Sequence, residues 1–311
     1  MDNKHKVIID TDPGIDDTTA LIFTMFDERL DVKLYVTVKG NIKVDIATNN
    51  MLHLLEKFSK NTPVARGSEK ALFRDSADAA WLHGEHGMGP TYIPPKAKTQ
   101  PIKEDALNAM ARIIRENPHE VTLLMFGPHT NIGKLLWQYP DVIPLIKQII
   151  FEGFAPFALP GWGEHISFNI STDPEAAKII IDSGIPLVII PSVLGREYTH
   201  LTQNMIEEIG TMNDTGKFLE EIYQTYWEHG YPDKRIATND TDAYLYLVEP
   251  ELFTTKRVDV AVSLNEDDIP GKTYATPHSG GNVKLVTGVN RKAFEKSFMA
   301  KIRMLDHIKL K

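Results

Sequence analysis

Apolar residues fall along this chain in two alternating patterns. Short unbroken runs, KVIID (6–10), KLYVTV (33–38), EVTLLMF (120–126), QIIFEG (148–153) and PLVIIP (186–191), read as buried strands. Between them apolar positions recur at helical spacing, from about Asp16 to Glu28 and again through Asn49-Asn50-Met51-Leu52-His53-Leu54-Leu55. Pro63-Val64-Ala65 reads as a further short strand, and a helix begins near Asn131 after the break at Gly127-Pro128. Asp173-Pro174-Glu175 opens a helix between the last two strand runs, with Asp as N-cap and Pro in the first turn.

Strands alternating with helices predict an α/β fold: a mainly parallel open sheet flanked by helices, with a Rossmann-related core. In such sheets ligands bind outside the carboxyl ends of the strands. The polar clusters at 10–17, 39–41 and 127–131 each follow a strand run directly, so they should converge on that edge. The proline-rich segment GPTYIPPKAKTQP (89–101) fits a surface loop better than a boundary, and the chain reads as one catalytic domain over 1–311.

Composition narrows the partners. The 311 residues are 42% hydrophobic and 24% charged, enough for a sizeable core. A formal net charge of −8 argues against nucleic acid or an anionic membrane as partner, and leaves a small neutral substrate or a divalent cation open. There is no cysteine, which excludes disulfides and thiolate metal sites. The start MDNKHKVIID enters a strand without a long apolar signal core, and no apolar run reaches bilayer length, so a cytoplasmic location is expected.

The stretch KVIIDTDPGIDDTTAL (6–21) sets the chemical problem. Asp10, Asp12, Asp16 and Asp17 surround a Pro-Gly turn. At ~5 Å and an effective dielectric of ~20, each pair of carboxylates repels by roughly 3 kcal/mol. Turn chemistry and helix capping account for one or two of the four. Hard carboxylate oxygens with no Cys and no nearby His suit Ca²⁺ or Mg²⁺ as the ion among them.

DTDPGIDD resembles the signature of the inosine–uridine-preferring nucleoside hydrolases, which cleave the N-glycosidic bond of ribonucleosides. The likeness runs along most of the chain. Lys39-Gly40-Asn41, Phe126-Gly127-Pro128-His129-Thr130-Asn131, and Phe168-Asn169 with Asp173-Pro174-Glu175-Ala176-Ala177 are similar to the family's later motifs, and Asn239-Asp240 stands where the family often has His-Asp. The resemblance implies a nucleoside-hydrolase-like fold and a Ca²⁺ held by Asp12, Asp17, Asp240 and the Phe126 carbonyl. It also implies Asp12 as general base toward water on the calcium, Asp16, Asn41 and Asn169 on the ribose hydroxyls, and Asp10 as support. A homodimer or homotetramer serving nucleoside salvage is implied as well. The chemistry agrees, because nearby carboxylates stabilise an oxocarbenium-like ribosyl cation.

Three positions depart from that pattern or extend it. His83, in Trp81-Leu82-His83-Gly84-Glu85-His86-Gly87-Met88-Gly89, is similar to a histidine that faces the base in the pyrimidine-preferring branch, and His86 reads as a loop residue. Asn239 replaces a histidine, and asparagine cannot protonate a leaving base. Should Asp242 be the metal ligand instead, Asp240 would be a helix cap. Ser167 stands where the family has Glu, and the upstream asparagine has no counterpart in 158–165, so a substrate altered at its 5′ position is expected unless Glu164 or His165 substitutes. Tyr223, Tyr226, Trp227 and Tyr231 offer an aromatic wall for the base, with Trp227 the residue chosen. Two alternatives stand beside this reading. One is a non-catalytic ribosyl-binding protein. The other is a Mg²⁺-dependent phosphatase of the haloacid-dehalogenase type, with Asp10 as nucleophile and Asp12 as acid/base.

Overall fold

The computed structural model describes residues 4–89, 91–155, 166–227, 235–265, 270–281 and 283–310, except the side chains of 225–227. Among them nine strands form one sheet: β1 (His5–Thr11), β2 (Leu30–Thr37), β3 (Val64–Arg66), β4 (Val121–Met125), β5 (Gln148–Phe154), β6 (Leu187–Pro191), β7 (Phe253–Val262), β8 (Thr273–Pro277) and β9 (Val283–Val289). Their order is β3-β2-β1-β4-β5-β6-β9-β7-β8. Pairing is parallel from β3 across to β9, and only β7 runs antiparallel to its neighbours β8 and β9. The expected mainly parallel sheet is therefore present, extended by an antiparallel edge.

Period-two alternation divides the core into two layers. Val7, Ile9, Tyr35, Leu124, Ile150, Val188 and Ile190 face one cluster, which holds the helices Ile15–Phe26, Val44–Lys57, Gln203–Met212, Asp214–Trp227, Asn239–Val248 and Arg291–Arg303. Ile8, Leu34, Val36, Leu123, Met125, Ile149, Phe151, Leu187 and Ile189 face the other, under Ala106–Glu116, Thr130–Gln138 and Pro174–Asp182. A strand apolar on both faces fits only between two such layers. Each fully buried Val, Ile, Leu or Phe contributes roughly 1.5–3 kcal/mol.

Register brings the polar clusters together. Asp10 pairs with Val36 on one side and Met125 on the other, and the Phe126 N–H donates to the Asp10 carbonyl at 2.8 Å. Residues 10–12, 38–41 and 126–131 thus emerge at one edge of the sheet, where the sequence predicted convergence. Asp173 caps the helix Pro174–Asp182, accepting from the Ala176 N–H. No helix among the described residues is long and apolar enough to cross a membrane.

Candidate active site

Every short-range contact in the aspartate cluster follows from the turn after β1. Thr11 Oγ1 donates to Asp17 Oδ1 at 2.6 Å, and the Gly14 N–H donates to Asp17 Oδ2 at 2.9 Å, so Asp17 ties strand end to helix start. Asp12 Oδ2 accepts from the Asn41 N–H at 2.6 Å, whereas its Oδ1 is buried without a protein partner. The backbone must come close here. A Cβ on Gly127 would lie 2.7 Å from Asp12 Oδ1, and one on Gly40 would run into Asp12 Oδ2.

Asp10 turns the other way. Its Oδ2 accepts from Asn131 Nδ2 at 2.7 Å on the helix Thr130–Gln138, in keeping with a supporting role, and its Oδ1 has no partner. Across the cleft, carboxylate oxygens of Asp16, Asp17 and Asp240 lie within 4.8 Å of one another, and the last two are buried. This triplet contains Asp16 where the sequence had placed Asp12 among the ligands. Asp12 stands beside it with a free oxygen. Asp242 is a different case: it accepts from Thr199 Oγ1 at 2.7 Å and from Thr238 Oγ1, and it is Asp240, not Asp242, whose carboxylate groups with Asp16 and Asp17.

The acids cannot all be charged and alone. Burial and the Asp17 charge push Asp12 well above the usual carboxylate range, and burial with Asp17 and Asp16 does the same to Asp240. Burial raises Asp10 to about 8, and burial with the Asp16 charge raises Asp17 to about 6. A buried charge needs a partner or a proton. The donor set is wholly oxygen, with the orphan Oδ1 of Asp12 beside it, and fits a hard divalent cation.

A cavity of about 230 Å³ opens over the cluster. On the β1–β2 flank it is lined by Asn41, Trp81, Leu82 and His83. Asn41 Nδ2 donates to Asp17 Oδ2 at 3.1 Å and to the Asp12 carbonyl at 3.3 Å, so the side chain assigned to ribose also braces the acids. His83 Nδ1 accepts from the Ile15 N–H at 3.2 Å, which leaves the proton of the neutral ring on Nε2. Burial pushes this imidazole down to about 4, against the Asp17 charge, which favours the neutral ring at physiological pH.

On the β5–β6 flank the lining comes from Glu152, Ser167, Asn169, Ser192 and Arg196. Asn169 Nδ2 donates to the Phe126 carbonyl at 2.7 Å and to Glu152 Oε2 at 3.0 Å. The Phe126 oxygen therefore has a protein donor in addition to the ligand role read from sequence. Ser167 is buried, and its hydroxyl has no partner. Asn239 lines the same cavity, packed on Gly195, with its Oδ1 buried and unpartnered.

Glu152, Ser192 and Arg196 are site residues that the sequence reading missed. Glu152 carries a legible signal, a charged residue near the carboxyl end of an otherwise apolar run. Arg196 lies in a π-helical turn, Leu194–Tyr198, whose geometry has no simple sequence mark. Tyr223 is buried core, hydrogen-bonded to Thr19, and so is packing in this structure. The side chains of Tyr226 and Trp227, and all of Tyr231, Glu164 and His165, lie outside the described residues.

The family profile described as inosine-uridine preferring nucleoside hydrolase matches residues 7–296. The non-specific ribonucleoside hydrolase RihC of Salmonella paratyphi C is 34% identical over 271 residues, covering 86% of this chain and 86% of that protein. A solved plant nucleoside hydrolase, PpNRh1, superposes with a TM-score of 0.88 at 29% identity over 96% of this chain and 99% of its own. A purine-preferring ribonucleoside hydrolase from Gardnerella vaginalis gives 0.86 at 25% identity over 97% and 99%.

Proposed function

Because the chain belongs to the inosine-uridine preferring nucleoside hydrolase family, whose reaction is hydrolysis of the ribonucleoside N-glycosidic bond, we propose that Asp12, Asp17, Asp240 and the Phe126 carbonyl hold a calcium ion beside the sugar. The family match removes the phosphatase reading, and the chain is an N-ribosyl hydrolase by family. The observation that carries the calcium assignment is the buried, unpartnered Oδ1 of Asp12 beside the Asp16–Asp17–Asp240 oxygens. When bound, calcium supplies positive charge that acidifies a neighbouring water and anchors sugar hydroxyls.

The protein's own groups do the rest. Asp12 accepts a proton from the attacking water as its oxygen bonds to the anomeric carbon and the carbon–nitrogen bond breaks. Asp16 and the Asn169 carbonyl oxygen accept from ribose hydroxyls, and the Asn169 amide, fixed by Phe126 and Glu152, sets that oxygen's direction. The acid cluster stabilises the developing ribosyl cation. His83 donates a hydrogen bond through Nε2 to the departing base, and Asn239 contributes a second polar contact without supplying a proton. Trp227 is the aromatic residue assigned to the base in this reading. A cytoplasmic homodimer or homotetramer, expected from the family resemblance, belongs to the same reading.

The test is release of free ribose from uridine and inosine, with calcium and with a chelator, alongside calcium binding by calorimetry. Chelator-sensitive release with one ion bound per chain is expected. Full activity in excess chelator would refute the assignment.

A further inference from the structure

Asparagine is a poor helix former, and a polar side chain is costly to bury. Yet Asn50 sits in the middle of the helix Val44–Lys57 with none of its surface exposed. Its Nδ2 donates to two backbone carbonyls from separate parts of the chain, His86 at 2.8 Å and Pro13 at 3.3 Å. Pro13 follows Asp12 in the turn of the acid cluster, and His86 belongs to the loop that carries His83. One amide therefore ties the sugar side of the cavity to its base side.

The loop depends on that tie. The His83 ring meets the turn where Nδ1 accepts from the Ile15 N–H at 3.2 Å, the long end of the range for such a bond. Just beyond it Gly84 and Gly87 have φ of 81° and 82°, a region that glycine enters freely, so the loop backbone deforms easily. Gly87 passes so close that a Cβ there would lie 3.1 Å from both Asn50 Nδ2 and the Pro13 carbonyl oxygen. The same helix grips the chain further on. His53 Nε2 meets the Tyr92 hydroxyl at 2.9 Å, and Asn49 donates to the Pro95 carbonyl and accepts from the Ala97 N–H. Of these contacts the Asn50 bond lies nearest His83 along the chain. The acid turn, by contrast, has ties of its own through Thr11, Gly14 and Asn41. Removing the amide loosens the loop first.

We propose that Asn50 is a positioning residue for departure of the base: by latching the His83 loop to the acid turn, it sets the reach of His83. This rests on the reading in which His83 donates to the departing base. A small misplacement of a donor is enough to lose its contribution in the transition state. The latch supplies nothing to the metal ligands or to the attacking water, so its loss should leave those functions in place.

The decisive experiment compares uridine, inosine and p-nitrophenyl riboside in the wild type, Asn50→Leu, His83→Asn and the double variant, with calcium affinity measured by calorimetry. Leucine keeps the shape of asparagine and removes its donors. The nitrophenolate leaves without help from a hydrogen-bond donor, so the aryl riboside isolates water attack from base departure. Asn50→Leu should lower kcat for both nucleosides about tenfold, the scale of one hydrogen bond to a developing charge. It should leave aryl riboside cleavage and the calcium Kd unchanged, and it should add nothing to the loss in His83→Asn. An equal loss on the aryl riboside, or losses that multiply in the double variant, would overturn the proposal. If no nucleoside is cleaved, or His83→Asn costs nothing on them, the reading of His83 has failed instead. The nitrogen NMR spectrum of isotope-labelled histidine then decides. His83 in the wild type should show one tautomer, with its hydrogen on Nε2, and Asn50→Leu should mix the two; an unchanged spectrum refutes the latch. Should Asn50→Leu not fold, Gly87→Ala, whose Cβ presses on Ile42 and Asn50, must give the same pattern for the proposal to stand.

Discussion

The helix Ile15–Phe26 carries acids at both ends, and they behave in opposite ways. At its N-terminus, where the helix dipole favours negative charge, Asp17 is pushed up to about 6 by burial and the Asp16 charge. At its C-terminus, where the dipole disfavours an acid, Asp27 lies at about 2: burial pushes it up, but hydrogen bonds from Arg29 and Tyr244 outweigh that. Arg29 grips Asp27 through Nε and Nη2 at 2.8 and 2.6 Å, and the Tyr244 hydroxyl donates at 2.5 Å. A dipole is worth under about 1 kcal/mol at an exposed end, so partners and burial decide. One end is built to hold itself together, and the other waits for a ligand.

The sharpest way to break this contrast is Asp12→Asn. Loss of the general base should lower kcat by about 10²–10⁴-fold. The same change removes a buried carboxyl group whose Oδ1 has no partner and which lies against the Asp17 charge, so the metal-free protein should melt at a higher temperature than the wild type. Parallel assays of ribose release and calorimetric melting check both halves. A variant both inactive and less stable would mean that Asp12 is structural and the two helix ends are alike.

Calcium and pH sharpen it next. At a hundredfold excess over its Kd, an ion binding only the folded state adds about 2.7 kcal/mol. For Asp10 and Asp17 the folded values, about 8 and about 6, lie above the ordinary aspartate value. The folded protein therefore binds more protons than the unfolded chain between pH 4 and 8, and stability falls as pH rises through that window. The melting temperature of chelated protein should drop from pH 5 to 8, and the calcium-loaded protein should show a flatter curve. Identical slopes with and without calcium would separate the ion from these acids.

The same contrast explains what the chain's sequence disclosed. The five central strands were legible because a strand buried on both faces must be an unbroken apolar run, whereas the helix Ala106–Glu116 leading into β4 was not assigned. The antiparallel edge β7–β8–β9 was not assigned. It is largely wet, as in Phe253–Val262 with Thr254, Thr255, Lys256 and Arg257 exposed in a row, so no unbroken apolar run marks it. Asp10, Asp12, Asp16 and Asp17 stood out because they crowd one turn. Glu152 and Arg196 did not, because their meaning depends on β5 and β6 being neighbours and on a π-helical turn, neither of which is local. Nor could local sequence say that Asn169 would donate to both Phe126 and Glu152.

His83 belongs to the same helix end, since its Nδ1 takes the Ile15 N–H. With burial holding the imidazole near 4, it stays neutral across the working range. His83→Asn should then lower kcat/KM about tenfold, the cost of one hydrogen bond to a developing charge. The pH–rate profile between 5.5 and 8 should keep its shape. A limb that disappears from the profile in the variant would show His83 titrating as an acid in catalysis, and the N-terminal end would carry a cation of its own.

Asp27→Asn makes the smallest change and tests the self-sufficient end. Arg29 is 45% exposed, so solvent screens much of the pair, and a loss of about 1 kcal/mol is expected, well below the calcium effect. The sign of its pH dependence is opposite to that of the acid cluster. A folded value below the unfolded one gives stability that is present above about pH 4 and lost as pH falls through about 2. The variant should therefore melt lower than the wild type at pH 7, and the two curves should converge in strong acid. Activity should be unchanged, because Asp27 lies at the far end of the helix from the cluster. If Asp27→Asn instead weakened calcium binding, the helix would be transmitting strain between its ends, and burial and local partners would no longer suffice to explain why one end is paired and the other open.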